Sequence, residues 1–312
     1  MYGSIVLEMV SDSPAGELLG ETTREYTFES CGEMLDMAEL QEIWESKLEP
    51  VYPYRKAGPT VEKINGKLNA PAAPKIGVAK PKVIIPVFPG TNCEYDTAKA
   101  FARAGADPEI LVIRNLTPAD VTASCEALVK AIGESQIVML PGGFSGGDEP
   151  DGSAKFIASF FRSPAVTEAV RDLLQHRDGL MLGICNGFQA LIKLGLVPYG
   201  DIRPITAYDP TLTFNTIGRH QSMLVRTRVA STGSPWLSHC DAGSEYEIAI
   251  SHGEGRFVAP QNVLDQLVAN GQVATQYKAF EESVEVVFPH LVLVVQPIVE
   301  FQRTVGRVVE HG

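Results

Sequence analysis

From Val83 onward, short apolar runs alternate with segments patterned as helices, and that alternation narrows the folds open to the chain. Val83-Ile84-Ile85-Pro86-Val87 is a buried-type strand, and Asp96 to Ala106 suits a helix. Glu109-Ile110-Leu111-Val112-Ile113 is a second strand. Pro118 to Ile132 is a helix with proline in its first turn. Ile137-Val138-Met139-Leu140 is a third strand, and residues 153 to 176 read as mostly helical. Gly179 to Ile184 is a fourth strand that runs at once into a helix from Asn186. Strand–helix–strand repetition favours parallel pairing with crossovers packed on the sheet, so the expected class is α/β, a mostly parallel sheet with helices on both faces. Later strands are expected near Ser222 to Arg228 and Glu245 to Ile250.

What precedes this region differs in kind. Residues 1 to 49 open on a strand-like run, Ser4-Ile5-Val6-Leu7, and close on a helical pattern over Met34 to Trp44. Met37, Leu40 and Trp44 share one face of it, too little to close a core. This segment reads as a small α+β remnant. Residues 1 to 56 hold twelve Asp/Glu against four Lys/Arg, so the acid is concentrated there. Residues 50 to 82 carry six prolines and read as a linker. The whole chain has 26 Lys and Arg against 38 Asp and Glu, a net charge of −12. That balance argues against nucleic acid or an anionic membrane as the main partner. Five widely spaced cysteines, no C-x-x-C and no basic–apolar opening point to a reducing, cytoplasmic setting. No apolar run spans a bilayer; the best, Leu291 to Val295, lies between Pro289 and Pro297.

Gly183-Ile184-Cys185-Asn186-Gly187 has the layout of a nucleophile elbow with cysteine in place of serine. The flanking glycines let a strand turn sharply into a helix, and the thiol then sits at the helix N-terminus, which favours a thiolate. The N–H of Asn186 is placed to help hold an oxyanion. By itself the pattern fits a buried core cysteine as well. The loop VMLPGGFSGGDEPDG, residues 138 to 152, also leaves the carboxyl end of a strand, where open parallel sheets bind ligands. Gly142 and Gly143 can turn N–H groups toward the thiol. No dinucleotide or P-loop glycine pattern is present. Asp148, Glu149 and Asp151 suit solvated loop acids better than metal ligands, and no metal site is expected. Cys93, in FPGTNCEYD, is a rival nucleophile without the paired glycines. In ISHGEGRF, residues 250 to 257, His252 with Glu254 resembles an imidazole oriented by a carboxylate, Arg256 suits an anion, and a polar turn is the plain alternative.

Together, LPGG at 140 to 143 and GICNGFQ at 183 to 189 resemble the class I glutamine amidotransferases, which have a flavodoxin-like α/β fold. More narrowly, FPGTNCEYDTAKAF at 88 to 101, PGGFSGGDEPDGSAKFIASFFR at 141 to 162, FNTIGRHQSMLV at 214 to 225 and SHGEGRF at 251 to 257 resemble the glutaminase domain of the phosphoribosylformylglycinamidine synthase family. AELQEIWESKLEPVYPYR, 38 to 55, is similar to the end of that family's synthetase part. The resemblance implies that residues 1–49 end a synthetase domain, that 50–82 link it onward and that 83–277 form a glutaminase domain. It implies glutamine as substrate, Cys185 as nucleophile through a glutamyl thioester, and the N–H groups of Gly143 (or Phe144) and Asn186 as the oxyanion hole. Gln189 matches the position that helps hold glutamine. Ammonia would serve a synthetase part, normally in the same chain, that uses ATP and Mg2+ to make formylglycinamidine ribonucleotide in purine biosynthesis. Those ATP and Mg2+ sites lie outside this segment, and no cofactor is expected within it.

A cysteine amidase needs a base for the thiol and an acid for the leaving ammonia. In this family a histidine in a late G-H-x-E-R-like motif supplies both, and no such motif stands here. His290 is followed by Leu291 and Val292, and His311 by Gly312. His252 and Glu254 have the spacing but belong to a different motif of the family. Residues 278 to 312 hold ten valines in 35 residues and do not resemble the family's ending, as expected of a shifted reading frame. A Val-rich tail also suits a surrogate edge strand or an aggregation site. Without the base, a non-catalytic docking module is the alternative.

Overall fold

The structure is a computed structural model that describes residues 5–9, 16–51, 63–64, 77–144, 153–278 and 291–292. The chain divides into two compact units, Met1–Tyr54 and Arg55–Gly312.

In the first unit, β1 (Thr27–Ser30) and β2 (Glu33–Asp36) form an antiparallel hairpin. Its two-residue turn is Cys31-Gly32, both at positive φ, as a tight hairpin turn requires. Helix α1 (Met37–Ser46) follows at once, and the Asp36 carboxylate caps it by accepting from the N–H groups of Ala38 and Glu39. The helix expected from Met34 therefore starts later, because Met34 to Asp36 pair as strand. The strand expected over Ser4 to Leu7 is not seen either: Ile5 to Leu7 are exposed and irregular. No described residue of this unit is buried, and Trp44 is 80 % exposed.

The second unit holds a four-stranded parallel sheet of β3 (Lys82–Val87), β4 (Asp107–Val112), β5 (Ile137–Leu140) and β6 (Leu180–Gly183), in the order β4-β3-β5-β6. Its helices are α2 (Glu94–Arg103), α3 (Pro118–Glu134), α4 (Lys155–Phe161), α5 (Pro164–Arg171) and α6 (Asn186–Leu194). Successive strand residues bury on opposite faces. Val83, Ile85, Ile137 and Met139 pack with Ala98 and Phe101 of α2 and with Trp236. Ile84, Val138, Leu140 and Met181 pack with α3, α4, α5 and α6. Burial on both faces is why β3 and β5 read as near-continuous apolar runs, whereas the edge strand β4 does not, and each large side chain so buried contributes about 2 kcal/mol.

Residues 153 to 176 are mostly helical, as expected, with one interruption between α4 and α5. Ser163, before Pro164, is extended at φ −61° and ψ 137°, because a residue preceding proline avoids the helical region. A π-helical turn, Asp172–His176, then closes the segment.

After a single turn, α7 (Leu196–Tyr199), come β7 (Thr211–Thr213), β8 (Gln221–Val229), β9 (Glu245–His252), β10 (Arg256–Val258), α8 (Gln261–Ala269), β11 (Thr275–Lys278) and β12 (Leu291–Val292). The later strands do not join the parallel sheet. They form a separate antiparallel one, β12-β11-β8-β9, beside a β7–β10 pair. Strand β8 alternates buried Val225, Thr227 and Val229 with exposed Leu224 and Arg226, the pattern of a sheet wet on one face. Within the tail, Leu291–Val292 does pair as an edge strand, beside β11. No helix among the described residues is long and apolar enough to cross a membrane.

Chain order places the site. From β3 the chain moves outward to β4, then returns past β3 to β5, so the sheet reverses direction between β3 and β5. Such switch points leave a crevice at the carboxyl ends of the strands.

Candidate active site

Three loops meet at that edge, after β3, β5 and β6. The first two are stitched by one antiparallel bridge, Thr91 to Gly143. Asn92 N–H donates to Gly142 O (3.3 Å) and Phe144 N–H donates to Gly90 O (2.9 Å). Between two such bonds the bridged residues turn their own N–H groups outward, so Gly143 N–H is directed off the first loop. Gly143 holds φ 147°, and a β-carbon there would stand 2.4 Å from Gly90 O; only glycine fits. The Phe144 N–H, expected only as the alternative to that of Gly143, donates to Gly90 O. The Phe144 ring is exposed and lies 6.4 Å from that of His220.

Cys185 stands between β6 and α6 as the N-cap of the helix, at φ 52° and ψ −111°. A non-glycine residue so placed stores roughly 1–3 kcal/mol of strain, which the surroundings must hold. Ile184 N–H bonds Leu140 O, Gly187 N–H bonds Ile184 O, and Gln189 N–H bonds Cys185 O, each at 3.0 Å. The two glycines are needed for contact as much as for turning. A β-carbon on Gly187 would stand 2.0 Å from Leu140 O, and one on Gly183 would stand 2.7 Å from the Gly187 backbone. The thiol is exposed rather than buried in the core. A β-carbon on Gly142 would lie 3.4 Å from Cys185 Cβ and 3.5 Å from Cys93 Sγ, so the bare Gly142 separates the two cysteines. Cys93 is also exposed and caps α2, but its backbone has negative φ and its thiol donates to Asn92 Oδ1 at 3.3 Å.

The segment Ser251–Arg256 touches the elbow region at two points, Ser251 and Glu254. Ser251 O lies 3.9 Å from Cys185 Sγ, and Ser251 Oγ lies 2.8 Å from His220 Nε2. Gln189 is buried; its Nε2 donates to Glu254 O (2.9 Å) and its Oε1 accepts from Asn186 Nδ2 (3.0 Å). The Glu254 carboxylate accepts from Ser153 N–H (3.2 Å) and Ser153 Oγ–H (2.6 Å). It is therefore not the partner that orients His252, and the H-x-E spacing there makes no imidazole–carboxylate pair. His252 Nδ1 instead meets Asn215 Oδ1 at 3.0 Å, while Nε2 is buried with no hydrogen-bond partner. Burial first, and then the nearby His220, push the His252 imidazole below its ordinary pKa. Arg256 Nε donates to Phe214 O at 3.1 Å, a structural use of the side chain expected to meet an anion.

A profile of the CobB/CobQ-like glutamine amidotransferase domain matches residues 80–290. The chain belongs to the glutamine amidotransferase family. Subunit PurQ of phosphoribosylformylglycinamidine synthase from Symbiobacterium thermophilum is 36% identical over 194 residues, 61% of this chain and 68% of that protein. The PurQ subunit from Mycolicibacterium paratuberculosis is 37% identical over 197 residues, 63% of this chain and 74% of that protein. Among solved structures, PurLQS from Thermotoga maritima aligns at 24% identity with a TM-score of 0.46, over 66% of this chain and 76% of that one. The family match runs past Tyr277, where the motif resemblance stops, as far as His290.

In this amidotransferase, Asp148, Glu149, Asp151, His290 and His311 lie outside the described residues. Among the described residues, no cluster of three or more His, Cys, Asp or Glu side chains is arranged for a metal ion. The residues that sequence reasoning missed are Asn215 and Ser153. Both sit inside motifs of the family resemblance, yet neither residue type signals a contact made from a distant segment.

Proposed function

We propose that the chain hydrolyses the side-chain amide of glutamine, with Cys185 as nucleophile, and delivers the ammonia to a synthetase partner. The observation that carries this is the strained Cys185 elbow, exposed beside the Gly142–Gly143 turn at the switch point of the sheet. The Cys185 thiolate attacks the carboxamide carbon, and the carbonyl oxygen gains the negative charge. The N–H of Gly143, directed off the first loop, faces that oxygen together with the N–H of Asn186 at the start of α6. The proton given up by the Cys185 thiol, carried by water at the exposed site, reaches the amide nitrogen, and collapse then expels ammonia and leaves a glutamyl thioester. Water then attacks the thioester, giving glutamate and restoring the thiol. Gln189, fixed between Asn186 and Glu254 O, lines the substrate side.

The PurQ relatives are named as subunits of a synthase, which supports a synthetase partner, and the likeness of residues 38–55 to the end of a synthetase part would put that partner on the same chain. The chemistry proposed for that partner is amidation of formylglycinamide ribonucleotide with ATP and Mg2+, in purine biosynthesis. The test is glutamate release by the full chain and by Cys185→Ala. Turnover in the parent that is lost in the variant supports the reading. No release by either, with or without a synthetase partner, overturns it in favour of a docking role.

A further inference from the structure

FNTIGRH and SHGEGRF take no part in the thioester chemistry, yet both converge on one side chain. Asn215 is 3 % exposed. Its Nδ2 donates to Arg219 O (3.0 Å) and His252 O (2.7 Å). Its Oδ1 accepts from Gly255 N–H (3.2 Å) and from His252 Nδ1–H (3.0 Å). Its backbone N–H donates to Gly253 O (2.8 Å). Two donors and two acceptors are used at once, which only a carboxamide of this length supplies here. The His252 ring lies flat against Gly255, where a β-carbon would stand 2.1 Å from the ring. The segment held this way carries Ser251 O against the Cys185 thiol at one end and Glu254 O against Gln189 at the other. Gly253 and Gly255 would otherwise leave it free to take many conformations.

We propose that Asn215 is a positioning residue of the glutaminase site. It sets the 251–255 backbone so that one carbonyl faces the nucleophile and another fixes the Gln189 amide, and so tunes access to Cys185 and glutamine binding. The role of glutamine in this statement rests on the function proposed above. The experiment alkylates the full chain, Asn215→Ala and Asn215→Asp with iodoacetamide, with and without glutamine, between about pH 6 and about pH 9. Peptide mass spectrometry reads Cys185 against Cys31, which lies in the other compact unit and serves as an internal clock.

The expected result for Asn215→Ala is a Cys185:Cys31 ratio changed by at least about threefold, a displaced pH profile, and glutamine protection weakened about tenfold, with far-UV circular dichroism unchanged. Asn215→Asp keeps the two accepted bonds and shows a smaller change in the same direction. A folded variant with the parent ratio, pH profile and protection overturns the proposal. Should Asn215→Ala not fold, Asn215→Asp decides by the same criterion. Failure of glutamine to protect Cys185 in the parent counts against the glutaminase reading alone, because the alkylation ratio still judges Asn215.

Discussion

Around Cys185 single atoms decide what the backbone tolerates. Gly187 lies against the Leu140 carbonyl, and both partners there are main chain, so neither can yield as a side chain would. Gly187→Ala is expected to cost roughly 3 kcal/mol or more in urea unfolding. Gly253→Ala meets nothing within 4 Å and is expected to fall within about 0.5 kcal/mol of the parent. The strain at Cys185 gives a second outcome. Replacing it with glycine removes the side chain that disfavours φ 52°, so Cys185→Gly should be more stable than Cys185→Ala by about 1 kcal/mol. Denaturation midpoints of the pair check this. Among the thiols, Cys185 should alkylate faster than the half-buried Cys125 and Cys240, because it is exposed and caps a helix.

At the scale of elements, the connection from α7 to β7 is held by one buried carboxylate. Asp209 accepts from Tyr199 Oη–H (2.6 Å), Arg203 Nη2 (2.9 Å), and the N–H (2.7 Å) and Oγ–H (2.8 Å) of Thr206. The Tyr199 hydroxyl, the Thr206 groups and Arg203 hold the Asp209 pKa down to about 2. Burial, with Asp209 second, pushes Tyr199 up to about 12. A carboxylate with a lowered folded pKa stabilises above its ordinary value of 3.8 and loses that contribution as pH falls toward about 2. Asp209→Asn should therefore cost roughly 2 kcal/mol at neutral pH and flatten the acid limb of the stability profile, as read by urea midpoints.

The 251–255 loop responds in a different window. The His252 pKa is lowered, so the unfolded chain binds its proton first, and stability is lost as pH drops below the ordinary histidine value of 6.5. Protonation would also place a new donor on Nε2, which has no acceptor. Amide hydrogen exchange at Gly253 and Gly255 should speed up more between neutral and mildly acidic pH than exchange in β3, after correction for intrinsic rates.

For the molecule as a whole, the two compact units differ in what they bury. The second has apolar layers on both faces of its parallel sheet. The first has a capped helix and a hairpin but no buried residue among those described. A chain of that size whose described residues bury nothing has little to offset the entropy of ordering it. The isolated fragment Met1–Tyr54 is expected to show no cooperative thermal transition by circular dichroism. A sharp transition would mean that it closes a core of its own.

Periodicity and the glycine–cysteine–glycine pattern were enough to place β3 to β6, the helix from Asn186 and the exposed cysteine between them. Strands buried on both faces, as β3 and β5 are, must be apolar nearly throughout, and an elbow between two packed backbones must have glycine on either side, so composition alone carries those features. The sequence did not separate the later strands into a second, antiparallel sheet, because a short apolar alternation does not name its partner. Nor did it tell that Phe144 N–H is committed to Gly90, that Glu254 serves Ser153 rather than His252, or that Asn215 holds the loop that touches Cys185. Those are contacts between segments far apart in the chain. Local spacing can say which residue types are available, and only tertiary packing decides which donor reaches which acceptor.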